Sequence, residues 1–117
     1  MYGGNPLACA AAVKVFELFD ELHVTDNVKV VGEYLASKLH ELVSEYDCVK
    51  EARGMGLIQG IELTVNPKDV IQKCLDNGLI LFSAGTNVIR FVPPLVITKA
   101  DVDEMITKLK KALDDIA

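Results

Sequence analysis

Arg90 is the residue with the clearest capacity for chemistry, in the run Asn87-Val88-Ile89-Arg90-Phe91-Val92-Pro93-Pro94. Its neighbours on both sides are apolar, so a strand here would have both faces at least partly covered. A guanidinium in such a place needs a partner. Its planar fork suits a carboxylate or a phosphate, and it stays charged at any relevant pH. Two readings stand side by side: an arginine on an edge strand paired with a surface acid such as Glu62, or a binding site for an anionic ligand.

The other candidates are weaker. Tyr2-Gly3-Gly4-Asn5-Pro6 places glycines before a helix N-terminus, where free amides and the helix dipole favour an anion. The same residues also describe a loose chain start. Arg53-Gly54-Met55-Gly56 lacks the GxGxxG pattern and the following helix of a phosphate cradle, so a hairpin turn is the better reading. Ser37, Ser44, Ser83, Cys9, Cys48, Cys74, His23 and His40 form no triad-like signature. The two histidines lack Cys or Asp partners at ligand spacing, which gives a metal site little support. No lysine lies in an apolar run that would lower its pKa for imine chemistry. The residues therefore yield no catalytic, cofactor-binding or metal-binding set, and one candidate ligand-binding residue, Arg90.

Composition narrows the class. The chain has 117 residues, half of them apolar, and a formal charge of 12 − 17 = −5. That suits one soluble globular domain. The lysines are scattered, which speaks against nucleic acid. The apolar stretch Leu7 to Phe19 is broken by Lys14 and Glu17 and follows no basic segment, so neither a signal peptide nor a membrane span fits, and a buried helix is expected. Three cysteines without CxxC spacing point to reduced, buried thiols in a cytoplasmic protein.

The elements that would position Arg90 follow from capping signals and periodicity. Asn5-Pro6 and Asn66-Pro67 each open a helix. Thr25 or Asp26 is expected to cap a second helix with a stripe of Val28, Val31, Leu35, Leu39, Leu42 and Tyr46. Alternation through Val49 and Ala52, then Leu57, Ile61 and Leu63, predicts a hairpin turning at Gly54-Met55-Gly56. The short helix after Asn66 should end at Gly78 with Val70, Ile71, Cys74 and Leu75 inward. Leu79 to Phe82 and Asn87 to Phe91 read as strands joined by Ser83-Ala84-Gly85-Thr86, and Pro93-Pro94 must then leave the sheet. Thr98 with Asp101 starts a last helix buried through Val102, Met105, Ile106, Leu109, Leu113 and Ile116. The order ααββαββα predicts an α+β domain: a small antiparallel sheet of about four strands with helices on one side.

Three segments, YGGNPLACAAAV at 2–13, ARGMGLIQGIEL at 52–63 and NVIRFVPPLVIT at 87–98, resemble the C-terminal part of the class III pyridoxal-phosphate-dependent aminotransferases. The resemblance implies a homodimeric, two-domain parent of fold type I. Its pyridoxal phosphate would be held by a lysine and an aspartate of the large domain, and an amino group would pass from an amino acid through the cofactor to a 2-oxo acid. Arg90 matches the arginine of the family's IRFxPPL segment, which resembles a carboxylate clamp; in relatives it also pairs with a large-domain glutamate. Where the family carries Ser or Thr before the aromatic-Gly-Gly-Asn-Pro run, to contact a cofactor phosphate across the dimer, this chain has Met1. On this reading residues 1–23 are an interdomain segment with a buried helix and residues 24–117 the small C-terminal domain. No bound pyridoxal phosphate and no activity are expected of the segment alone, because the imine lysine is missing. The alternatives are a stand-alone α+β module that binds a small acid or regulates, and a purely structural dimerisation piece.

Overall fold

The computed structural model describes residues 3–116. Its elements run α1 (Pro6–Glu21), α2 (Val24–Glu45), β1 (Val49–Met55), β2 (Ile58–Leu63), α3 (Pro67–Asp76), β3 (Phe82–Ala84), β4 (Val88–Phe91) and α4 (Lys99–Ile116). The order is the expected ααββαββα. The four strands form one sheet in the order β1-β2-β4-β3, with every pair antiparallel.

One face of the sheet carries the core. Ile61 and Leu63 of β2 and Ile89 and Phe91 of β4 alternate inward, as a period of two requires. They meet Leu35, Leu39 and Leu42 of α2, Val70 and Cys74 of α3, and Val102, Leu109 and Leu113 of α4. The apolar stripes expected on α2 and α4 face the core, with Val28, Tyr46, Met105 and Ile116 only partly buried at its margin. Leu75, expected to face inward from α3, is instead 51% exposed. It lies one position beyond the inward pair Val70 and Cys74, which the helical period sets on a single face.

Local signals place most of the helix ends. Asn5 and Asn66 accept hydrogen bonds from the Ala8 and Lys68 amides, each ahead of a proline. Thr98 and Asp101 form a reciprocal box: the Thr98 amide donates to Asp101 Oδ2 at 2.9 Å and the Asp101 amide to Thr98 Oγ1 at 3.3 Å. Gly78, at φ +83°, closes α3 in a Schellman arrangement, its amide bonding the Leu75 carbonyl and the Leu79 amide that of Cys74.

Three expectations are corrected. The start of α2 is not set by Thr25 or Asp26, which lie inside its first turn; His23 occupies the N-cap in the left-handed region, φ +49°, without a side-chain cap. Only Leu22 and His23 separate α1 from α2, too short a link for a separate capping residue. The first hairpin turns at Gly56-Leu57, with Gly54 and Met55 still paired to Gln59 and Ile58. The second hairpin's first strand lies later than expected, at Phe82–Ala84. Pairing of Phe82 with Arg90 and of Ala84 with Val88 leaves the turn to Gly85, Thr86 and Asn87, and Leu79 to Leu81 becomes the approach from α3.

The helix α1, expected to be buried, has no buried residue. Leu7 is 81% exposed and Phe16 75%. It leaves the body of the fold, which explains a radius of gyration of 16.5 Å against about 13 Å for a compact chain of this length. Apolar on most sides, it finds nothing among the described residues large enough to cover it.

Candidate functional site

The face of the sheet opposite the core carries no helix among the described residues. Cross-strand pairing sets Arg53, Gly60, Arg90 and Phe82 in one row across it, and Glu51, Glu62, Val88 and Ala84 in the next. Arg90 is exposed there, since Ile89 and Phe91 point the other way into the core. The expected covering of both faces at Arg90 is therefore not found: the strand is covered on one side only.

Gly60 leaves a notch between the two arginines. A Cβ at that position would meet Val88 Cγ1 at 3.3 Å. The notch continues into an open depression reaching Gly85, and Arg90 lines both this depression and an apolar cavity of about 330 Å³ beside Leu81, Val92 and Pro94. The backbone beyond Arg90 is anchored as well. Pro93-Pro94 leave the sheet, and the Asn27 side chain of α2 donates to the carbonyls of Leu95 and Ile97 at 2.8 and 3.0 Å.

The surface ion pair expected between Arg90 and Glu62 does not form. Arg53 Nη1 donates to Glu62 Oε2 at 3.1 Å and to Glu51 Oε2 at 3.0 Å, while Lys50 Nζ donates to Glu62 Oε1 at 3.2 Å. Both oxygens of Glu62 are thus engaged. The hydrogen bond from Arg53, followed by that from Lys50, holds the Glu62 carboxyl below its ordinary pKa. Beyond the backbone ladder of β4, the Arg90 guanidinium has no hydrogen-bond or ion-pair partner among the described residues. Its charge is presented to whatever meets the open face.

The remaining candidates do not converge. Gly54 and Gly56, at φ +153° and +56°, serve the β1–β2 hairpin and no phosphate cradle. Met1 and Tyr2 lie outside the described residues, while Asn5 caps α1. No serine or cysteine is hydrogen-bonded to His23 or His40 among the described residues, and no group of His, Cys, Asp and Glu there could hold a metal. Of the cysteines expected to be buried, only Cys74 is; Cys48 is half-buried and Cys9 exposed, following the exposure of α1. Every lysine is exposed or half-buried. None sits in the apolar pocket an imine lysine needs, so the described residues do not fit pyridoxal phosphate. No helix of the described residues is long and apolar enough to cross a membrane.

The family model for class-III aminotransferases matches residues 1–113. The chain belongs to the class-III aminotransferase family. Among curated class-III relatives, acetylornithine aminotransferase of Methanocaldococcus jannaschii is 39% identical over 98% of this chain and 29% of its own length. That of Clostridium acetobutylicum is 44% identical over 88% of this chain and 27% of its own. Solved structures agree. Acetylornithine aminotransferase from Elizabethkingia anophelis superposes with a TM-score of 0.91 at 27% identity, over 97% of this chain and 30% of its own. Ornithine aminotransferase of Plasmodium yoelii gives 0.93 at 31% identity, over 100% and 32%. The chain thus spans less than a third of the length of these class-III proteins.

The role of Glu62, Lys50 and Arg53 in leaving Arg90 unpaired was not read from the sequence. The signal was present in the alternation of β2, which puts Glu62 on the face opposite Ile61 and Leu63. The choice between two arginines depends on three-dimensional register, which pattern alone does not supply.

Proposed function

We propose that this chain is the small C-terminal domain of an acetylornithine aminotransferase, and that Arg90 supplies the guanidinium that receives a substrate carboxylate. The observation that carries the reading is an exposed, unpartnered arginine beside a notch on the uncovered face of the sheet, at the position where the sequence resembles the family's carboxylate clamp. The names of the curated relatives support the member chosen. Pyridoxal phosphate, its imine lysine and the aspartate that holds its ring belong on this reading to a large domain beyond these residues. Transfer between N-acetylornithine and 2-oxoglutarate, in cytoplasmic arginine biosynthesis, is then a property of the homodimeric parent. This chain binds and orients one carboxylate and is inactive alone.

Arg90→Gln in the protein that carries this domain together with the large one tests the clamp. The KM for 2-oxoglutarate should rise about 10- to 100-fold, the worth of a charge-assisted hydrogen bond pair, with the fold intact. An unchanged KM for every carboxylate substrate refutes the clamp. Turnover by the 117-residue chain with pyridoxal phosphate alone refutes the incompleteness.

The likeness to an ornithine aminotransferase favours a second reading of the donor. Comparing N-acetylornithine, ornithine and 4-aminobutyrate as amino donors separates the members.

A further inference from the structure

Glu62 stands in register midway between two arginines. It pairs with Glu51 on one side and Val88 on the other, while Gly60, two residues earlier and on the same face, pairs with Arg53 and with Arg90. Both guanidinium groups are therefore diagonal neighbours of the Glu62 carboxylate, a separation that long side chains span. The carboxylate goes to Arg53, and Lys50 takes its second oxygen.

A bulge in β1 makes this arrangement. The register shifts between Val49 and Glu51, so Lys50 is the extra residue. Regular alternation from the buried Val49 would give Lys50 and Ala52 opposite roles to those of Glu51 and Arg53. The bulge instead leaves both Lys50 and Glu51 exposed before Ala52 turns inward again. Two cations, Lys50 and Arg53, thereby share the two acids Glu51 and Glu62, and this cluster is neutral in sum. Arg90, one strand further on, keeps an uncompensated charge.

We infer that Lys50 and Arg53 are positioning residues that hold Glu62 away from Arg90, so that a ligand carboxylate does not compete with a carboxylate of the chain itself. The inference rests on the reading of Arg90 as a carboxylate site. Its physical core, the allocation of Glu62, can be measured without any ligand. Released from β1, Glu62 has Arg90 as its remaining cationic neighbour on the open face. An intramolecular acid at that position would oppose binding through its high local concentration.

The chain has two arginines, Arg53 and Arg90, so Arg53→Gln alone identifies by elimination which of the two Nε–Hε resonances of the wild type belongs to Arg90, and that resonance is then followed in every variant. In the 117-residue chain, Lys50→Gln combined with Arg53→Gln should shift that resonance and slow its exchange with water as Glu62 pairs with Arg90. Adding Glu62→Gln should return it to the wild-type position. Glu62→Gln alone should leave it unmoved. An Arg90 resonance indifferent to the double substitution overturns the inference, whatever Arg90 binds.

Titration with glutarate supplies the second arm. The double variant should bind about 2- to 5-fold more weakly than wild type, the scale of an exposed ion pair, and the triple variant should recover. Binding that stays weak in the triple variant means that Arg53 itself touches the ligand, which overturns the inference. A wild-type Arg90 resonance that glutarate never perturbs, in a chain whose double variant still shows the Glu62 shift, refutes the carboxylate site and leaves the allocation of Glu62 standing. All three substituted positions are exposed or half-buried, so the variants keep the core.

Discussion

Gly32 of α2 packs directly onto Gly56 at the tip of the β1–β2 hairpin. A Cβ on Gly32 would lie 2.6 Å from the Gly56 carbonyl oxygen and 2.7 Å from its carbonyl carbon. The obstacle is backbone in a turn at φ +56° and cannot rotate aside. Gly32→Ala gains about 1 kcal/mol of helix propensity but overpacks this contact, at a cost of about 1–3 kcal/mol, and with backbone as the obstacle the clash should win. A lowered urea midpoint with an unchanged slope is expected, and Gly32→Val should be worse. A stabilised Gly32→Ala variant would mean that the helix and hairpin are not in contact in solution.

This contact also shows where sequence reading stopped. The helix stripes of α2 and α4, the two Asn-Pro starts, the Thr98–Asp101 box and the Gly78 terminus were legible because each depends on residues within one turn of one another. Gly32 carried no signal, because its role is set by a partner 24 positions away. His23 defeated capping rules for a related reason: with two residues between α1 and α2, the geometry of the link outranks the preference of Asp26 for an N-cap. For Arg90 the strand and the residue type were legible, but the fate of Glu62 depended on which strand lay on which side of β2.

Tyr46 ties the end of α2 to α4, its hydroxyl donating to Asp114 Oδ1 at 2.7 Å. Burial, then the hydrogen bond to Asp114, pushes its pKa up to about 12. The folded chain therefore favours the protonated phenol. That contribution to stability is fully present below about pH 10, the ordinary tyrosine value, and is lost as pH rises from there towards 12. Tyr46→Phe should cost about 1 kcal/mol at neutral pH and should flatten the fall in stability between pH 10 and 12. Thermal melts at stepped pH measure both; a variant with the same alkaline slope as wild type would show that the phenol does not contribute to it.

The three thiols should separate cleanly by reactivity. Cys9 lies on the exposed α1, whereas Cys74 is fully buried under the sheet, and burial pushes its pKa up to about 11. Because the thiolate is the reactive form, Cys74 is protected both by access and by protonation at neutral pH. An aromatic disulfide reagent at pH 7.5 should label Cys9 first, Cys48 more slowly, and Cys74 only when urea opens the core. Peptide mapping of the labelled chain gives the order. Early labelling of Cys74 would place α3 away from the sheet.

The exposed helix α1 gives the last expectation. Leu7, Val13 and Phe16 bury little in this chain, so replacing them by polar residues removes no core contact. Leu7→Gln and Phe16→Gln together should change unfolding stability by about 0.5 kcal/mol or less, as for surface positions generally. The same side chains expose apolar surface on more than one side of the helix, which water disfavours, and two copies of the chain can each cover part of the other's. Wild type should accordingly show a rising average mass in a sedimentation concentration series, and the double variant should remain monomeric over the same range. A large loss of stability in the variant would show that α1 folds back onto the domain in solution. Concentration-independent monomers of the wild type would show that its apolar surface is too small to drive association.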